Sequence, residues 1–164
     1  MNFMKTFFFL YAIYLLAGCA AKHGYNKTVD FSNLKTFEWL SLTADPDITE
    51  ATKDFVKNEI NQKLIEKGLT PTPDTPDFLV SAHIGKDIKL KASDFWVKLT
   101  PNQLEKIQYV EGSLSLVFKD SKSKEMIWWG SVQAKLSKNY PQKKKEKIAG
   151  KAIAEVLDKY PRVP

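Results

Sequence analysis

The chain has 164 residues, 43% of them hydrophobic, with 25 basic and 19 acidic side chains and a formal net charge of +6. That length suits one domain with a genuine core, and so small and dispersed a positive excess argues against a nucleic-acid partner. The only cysteine is Cys19, which excludes an internal disulfide and a cysteine-built metal centre and leaves packing to hold the fold.

In chain order the first element is a leader. Lys5 supplies a basic end, Phe7 to Ala17 an apolar core, and small residues precede Cys19, the design of a secretion signal. The apolar core is too short for a bilayer span, which needs about 20 residues. Leu16-Ala17-Gly18-Cys19 resembles the lipobox of bacterial lipoproteins. The resemblance implies cleavage between Gly18 and Cys19, acylation of the Cys19 thiol by chains such as palmitate, and usually acylation of the new amino group. Residues 1–18 then form the signal peptide, 19–28 a lipidated tether and 29–164 one folded domain. Ala20 stands where, in that family, an aspartate would favour inner-membrane retention, so the implied location is the outer membrane, at its periplasmic face. Two or three acyl chains hold a protein on a bilayer almost permanently, which makes the membrane the expected partner. About ten tether residues at ~3.3 Å each reach at most ~35 Å. Loss of the signal removes one basic residue, Lys5, leaving 24 basic against 19 acidic side chains, a balance that suits anionic headgroups or glycan.

Phe37 and Trp39 alternate with Thr36 and Glu38, which predicts a half-buried strand. Asp45-Pro46 has the form of an N-cap with proline at the first helical position. Beyond it Ile48, Ala51, Phe55, Val56, Ile60 and Leu64 recur at three- and four-residue steps up to Gly68, predicting an amphipathic helix with a C′ glycine. Pro71, Pro73 and Pro76 forbid its continuation. Three alternating runs follow, each with its apolar residues on even numbers: Phe78, Val80, Ala82 and Ile84, extending to Ile88 and Leu90; Val110, Leu114, Leu116 and Phe118; Met126, Trp128, Val132, Ala134 and Leu136. Such alternation means a sheet with one buried face, and the polar link Lys119 to Lys124 predicts an antiparallel hairpin. A last helix begins near Pro141, stripes Ile148, Ala152, Ile153, Val156, Leu157 and Tyr160, and stops at Pro161. The expected fold is an α+β two-layer sandwich, a mostly antiparallel four-stranded sheet in the order β-α-β-β-β-α with both helices on its apolar face.

Four stretches carry a family resemblance: Val29 to Leu40, Pro76-Asp77-Phe78-Leu79-Val80, Glu111-Gly112-Ser113-Leu114 and Ile127-Trp128-Trp129-Gly130-Ser131. Together they resemble the signatures of the bacterial lipoprotein family numbered four-one-three-six in the series of domains of unknown function. That family is similar in lipobox, length and element order, and it implies no catalytic or binding residue. Lys91 to Ile107 matches no family pattern.

His83 lies on the strand face opposite Phe78 and Val80, beside Ser81. A hydroxyl and an imidazole on one face are two parts of a nucleophilic triad. No Gly-x-Ser-x-Gly elbow, His-Glu-x-x-His helix or glycine-rich phosphate loop accompanies them, and an exposed strand histidine is the ordinary explanation. Asp74, Asp77, Glu111 and Asp120 fall in different elements, whereas glycoside cleavage needs two carboxyls roughly 5 to 9 Å apart.

Three features qualify as ligand or partner contacts. Lys143, Lys144 and Lys145 open the last helix, where its dipole disfavours cations; a solvated helix end is the ordinary explanation, and contact with an anionic lipid or glycan would explain the placement. Phe95 and Trp96 interrupt a lysine-rich segment long enough to suggest a functional loop. Tyr109, Val117, Ile127 and Trp129 interrupt the polar odd-numbered face, as a patch for another envelope protein or for a terminal segment folding back. No metal or cofactor is expected. The function expected is a non-enzymatic, lipid-anchored binding or scaffolding module of the cell envelope, with a carrier of a lipidic ligand as the alternative and an envelope hydrolase third.

Overall fold

A computed structural model describes residues 21–87, 109–137 and 139–161. Six strands and two α-helices follow one another along it, with a 3-10 turn at Phe31–Asn33: β1 Lys22–Tyr25, β2 Thr36–Ala44, α1 Glu50–Glu66, β3 Thr70–Pro71, β4 Phe78–Asp87, β5 Tyr109–Asp120, β6 Met126–Ser137 and α2 Gln142–Leu157. The strands form one mixed sheet in the spatial order β1-β6-β5-β4-β2-β3. The α+β class and the helix-covered apolar face agree with the sequence reading, and the sheet differs from it in two ways.

First, it has two more strands. β1 pairs antiparallel with β6, Lys22 opposite Ser131 and Tyr25 opposite Trp128, so residues expected in the tether belong to the sheet. β3 pairs with β2 at Thr36 and Phe37, and Pro71 and Pro73 keep it a short edge. Second, β2 runs parallel to both β3 and β4, because α1 returns the chain to the end of the sheet from which it left.

Local chemistry fixes the element ends. The cap of α1 is Thr49, whose hydroxyl accepts the Thr52 N–H at 3.3 Å, and Asp45-Pro46 lies in the preceding turn instead of capping the helix. At the other end Gly68, at φ +84°, donates to Ile65 O while Leu69 donates to Leu64 O, the pairing of a Schellman motif. The Asp77 carboxylate accepts the N–H groups of Lys35 and Thr36, both at 2.8 Å, and the Thr36 hydroxyl at 2.9 Å. Burial works against its charge, but these donors outweigh it and hold the carboxyl below its ordinary value. The Pro76-Asp77 signature is thus a clasp between the starts of β2 and β4.

Two irregularities shift the alternation. Leu40 is skipped between the Trp39 and Ser41 pairs and is exposed, which turns Leu42 and Ala44 inward. A second shift near Ile127 buries that residue and exposes Met126, the reverse of the expected assignment. α1 and α2 lie on the same sheet face and run in the same direction: Lys67 and Asp158 meet at 3.5 Å near their C-terminal ends, and their N-terminal halves line a common cavity. Among the described residues no helix is long and apolar enough to cross a membrane.

Candidate functional site

That cavity, about 360 Å³, lies between the first turns of α1 and α2 and the ends of β4, β5 and β6. It follows from side-chain size. On the helix-facing side, β4 carries Phe78, Val80, Ala82 and Ile84, β5 Phe118, Leu116, Leu114 and Gly112, and β6 Trp128, Gly130, Val132, Ala134 and Leu136. The second helix adds Ala149, Ala152 and Ile153, and the small residues Gly112, Ala134, Ala149 and Ala152 leave the gap that the larger ones line. At the other end Phe78, Phe118, Trp128 and Tyr160 pack ring on ring with centroids 4.7 to 6.2 Å apart. Strand residues there are fully buried, while Ile84, Leu114 and Ala134 at the cavity end keep 7 to 8% exposure.

The rim of the cavity is polar and carries both signs. Asp47, Lys145 and Glu146 line it, with Thr49 and Gln142 beside them, and Gln142 Nε2 donates to Glu146 Oε1 at 3.0 Å. Both helices direct their N-terminal ends here, each equivalent to about half a positive charge. Of the lysines expected to form a contact, Lys145 faces the cavity, Lys143 is exposed, and the Lys144 ammonium stands 3.6 Å from the centre of the Tyr140 ring. The three therefore do not form one patch.

On the opposite face of the sheet, His83 Nδ1 lies 2.9 Å from Thr43 Oγ1 and Nε2 lies 3.7 Å from Asp45 Oδ1. The partners come from β2 and the residue after it; the expected grouping with Ser81 is replaced by one with Thr43. A Cβ at Gly85 would stand 2.8 Å from Ser113 Oγ and 3.5 Å from His83 Nε2, so a larger residue there would crowd the Ser113 hydroxyl. Acid, imidazole and hydroxyl do meet, yet the His83 side chain is 51% exposed and water competes for each of these bonds. Among the described residues no three histidine or acidic side chains are grouped to hold a metal ion.

Trp129 is half-buried and its indole crosses Gly24 of β1, where a Cβ would stand 2.5 Å from Nε1. The terminal segment thus covers part of the patch that Trp129 forms with Val117. Gly18, Cys19, Phe95 and Trp96 lie outside the described residues, and the side chain of Tyr109 is likewise not described. The cavity itself was missed in the sequence reading. Its signal was the presence of small residues, Gly112 and Ala134 on the strands and Ala149 on the last helix, at inward positions near one end of the sheet.

Among the described residues, fold and site define a two-layer α+β sandwich with both helices on one sheet face and a cavity at one end of the covered core. Residues 21–162 match the family described as "Domain of unknown function (DUF4136)", and the chain belongs to that family. A DUF4136 family protein from Bacteroides thetaiotaomicron has a similar fold, with a TM-score of 0.53 at 11% identity over 88% of this chain and 97% of its own. The PelC dodecamer from Paraburkholderia phytofirmans is similar at a TM-score of 0.55 and 9% identity, over 85% of this chain and 95% of the PelC chain. A PDZ domain protein from Parabacteroides distasonis gives 0.58 at 19% identity over 87% of this chain, which spans 35% of that longer protein. At these identities the likeness is one of fold alone. No curated protein matches the sequence.

Proposed function

We propose that this chain is a lipid-anchored, non-enzymatic protein of the bacterial envelope, a binding or scaffolding module held at the periplasmic face of the outer membrane through Cys19. The observation that carries the reading is the position of β1. The strand starts three residues after Cys19, and its first residue, Lys22, lies opposite Ser131, so the chain enters the sheet on the side of Val132 and Ala134. Three residues reach about 10 Å. Lipid on Cys19 would therefore hold the cavity end of the domain against the bilayer, where Lys143 and the helix N-termini favour anionic headgroups by about 1 kcal/mol per lysine. The open setting of His83 supports binding over catalysis.

Metabolic labelling with palmitate followed by membrane flotation tests the anchor. The wild-type chain is expected to take label and float with the outer membrane, and Cys19→Ser to lose both properties. A Cys19→Ser chain that still floats would sink the reading. The alternative of a lipid carrier is favoured by one observation, the apolar cavity.

A further inference from the structure

We infer that the cavity between the helices and the sheet receives one acyl chain of a zwitterionic membrane phospholipid, whose head group stays at the rim beside Lys145, Asp47 and Glu146. The apolar lining includes Phe55, Ile84, Leu114, Val132, Leu136 and Ile153, and the charged residues among the described lining are Asp47, Lys145 and Glu146. A largely apolar surface of this kind rewards removal of hydrocarbon from water. About 360 Å³ stands near the lower limit of ligand pockets, which run from about 300 to 1,000 Å³, and that limits the occupant to a single chain.

The rim selects the head group. An anion alone would meet Asp47 and Glu146, and a cation alone would meet Lys145 and the positive ends of two helices. A head group with both signs satisfies both sets: its phosphate accepts from Lys145 and the helix ends, and its ammonium lies by the carboxylates. The source of the lipid rests on the anchored reading, because β1 enters the sheet on this side and the tether from Cys19 is short. The fit between cavity and chain does not rest on it.

The test uses the full-length chain in phosphatidylcholine vesicles containing a zwitterionic lysophospholipid with a diazirine near the end of its chain. After irradiation, the labelled peptides are mapped. The expected result is label on the segments 132–136 and 149–153. Ala149→Phe should reduce that label more than about tenfold, because each methylene kept out of the cavity costs about fourfold in affinity. Leu136→Phe, from the strand side, should do the same, and melting curves identify any variant that fails to fold. The same chain on a neutral alcohol should label more weakly; equal labelling would overturn the role of the rim. Label spread over the outer faces, or unchanged by both fillings, would overturn the site. So would label that appears only after Phe95→Ala and Trp96→Ala, which would assign the cavity to the chain's own residues. Cavity labelling of Cys19→Ser in solution, with no membrane association in the wild type, would leave this site standing while the anchored reading fell.

Discussion

The two ends of the covered core are built from the same strands and helices and differ in one property, the size of the side chains they bring together. At one end Phe78, Phe118, Trp128 and Tyr160 close the space with stacked and edge-on rings. At the other, Gly112, Ala134, Ala149 and Ala152 stop short of one another and leave the cavity. The cavity therefore arises where small residues meet at inward positions, while the strands keep their alternation. The aromatic end is filled by packed rings and the cavity end is not.

The largest expected difference between the ends comes from deleting a core side chain at each. Phe118→Ala should cost about 4 kcal/mol in urea unfolding, and Leu114→Ala, beside an existing void, about 2 kcal/mol; equal losses would break the comparison. Next come the glycines. A Cβ at Gly130 would stand 2.5 Å from the Trp128 ring and 2.7 Å from Val156, while at Gly112 the nearest atom is the flexible Leu136 Cδ1 at 3.1 Å. Gly130→Val should cost about 3 kcal/mol, and Gly112→Ala should leave the midpoint nearly unchanged.

The Asp77 clasp lies at the aromatic end, and Asp77→Asn should lose about 1 to 2 kcal/mol at neutral pH. Because the folded-state pKa is lowered, its stabilisation is complete above the unfolded value of about 3.9 and drains away as pH falls through the folded value. Asp30 and Asp120 are lowered too, by hydrogen bonds from Ser32 and Ser123. Unfolding midpoints at neutral and strongly acidic pH should therefore converge in the Asn variant without becoming equal. The smallest effect is a gain. The Tyr160 hydroxyl is buried without a hydrogen-bond partner among the described residues, and burial, then the Asp77 charge, raises its pKa. Tyr160→Phe should stabilise by about 0.5 to 1 kcal/mol, read as a raised melting temperature, since it removes an unsatisfied polar atom and keeps the ring.

The long elements were legible because their signals are local. Alternation on even numbers identified β4, β5 and β6, the 3.6-residue stripe identified both helices, and Gly68 marked the end of α1. The short strands were not, since four or two residues carry no period; β1 and β3 exist because longer neighbours offer them an edge. The skipped pairs at Leu40 and near Ile127 hid the inward residues beyond Trp39 and reversed Met126 and Ile127. Parallel pairing of β2 with β4 was missed because it depends on where a helix returns the chain, which alternation does not record. Of the site, Lys145 was legible as part of a charge run, while Thr43 and Asp45 were not linked to His83, forty and thirty-eight positions away in sequence. The cavity was written in residue volumes, and reading for polarity passed over it.

The pairing of β1 with β6 also sets an order of events. Tyr25 and Lys22 are synthesised about a hundred residues before Trp128 and Ser131, their partners. Until β6 arrives, β1 has nothing to pair with, and closing so long a loop opposes early docking. β1 is therefore expected to be the last strand added to the sheet, and under the lipid anchoring proposed at Cys19 that lateness would give a modifying enzyme time to act.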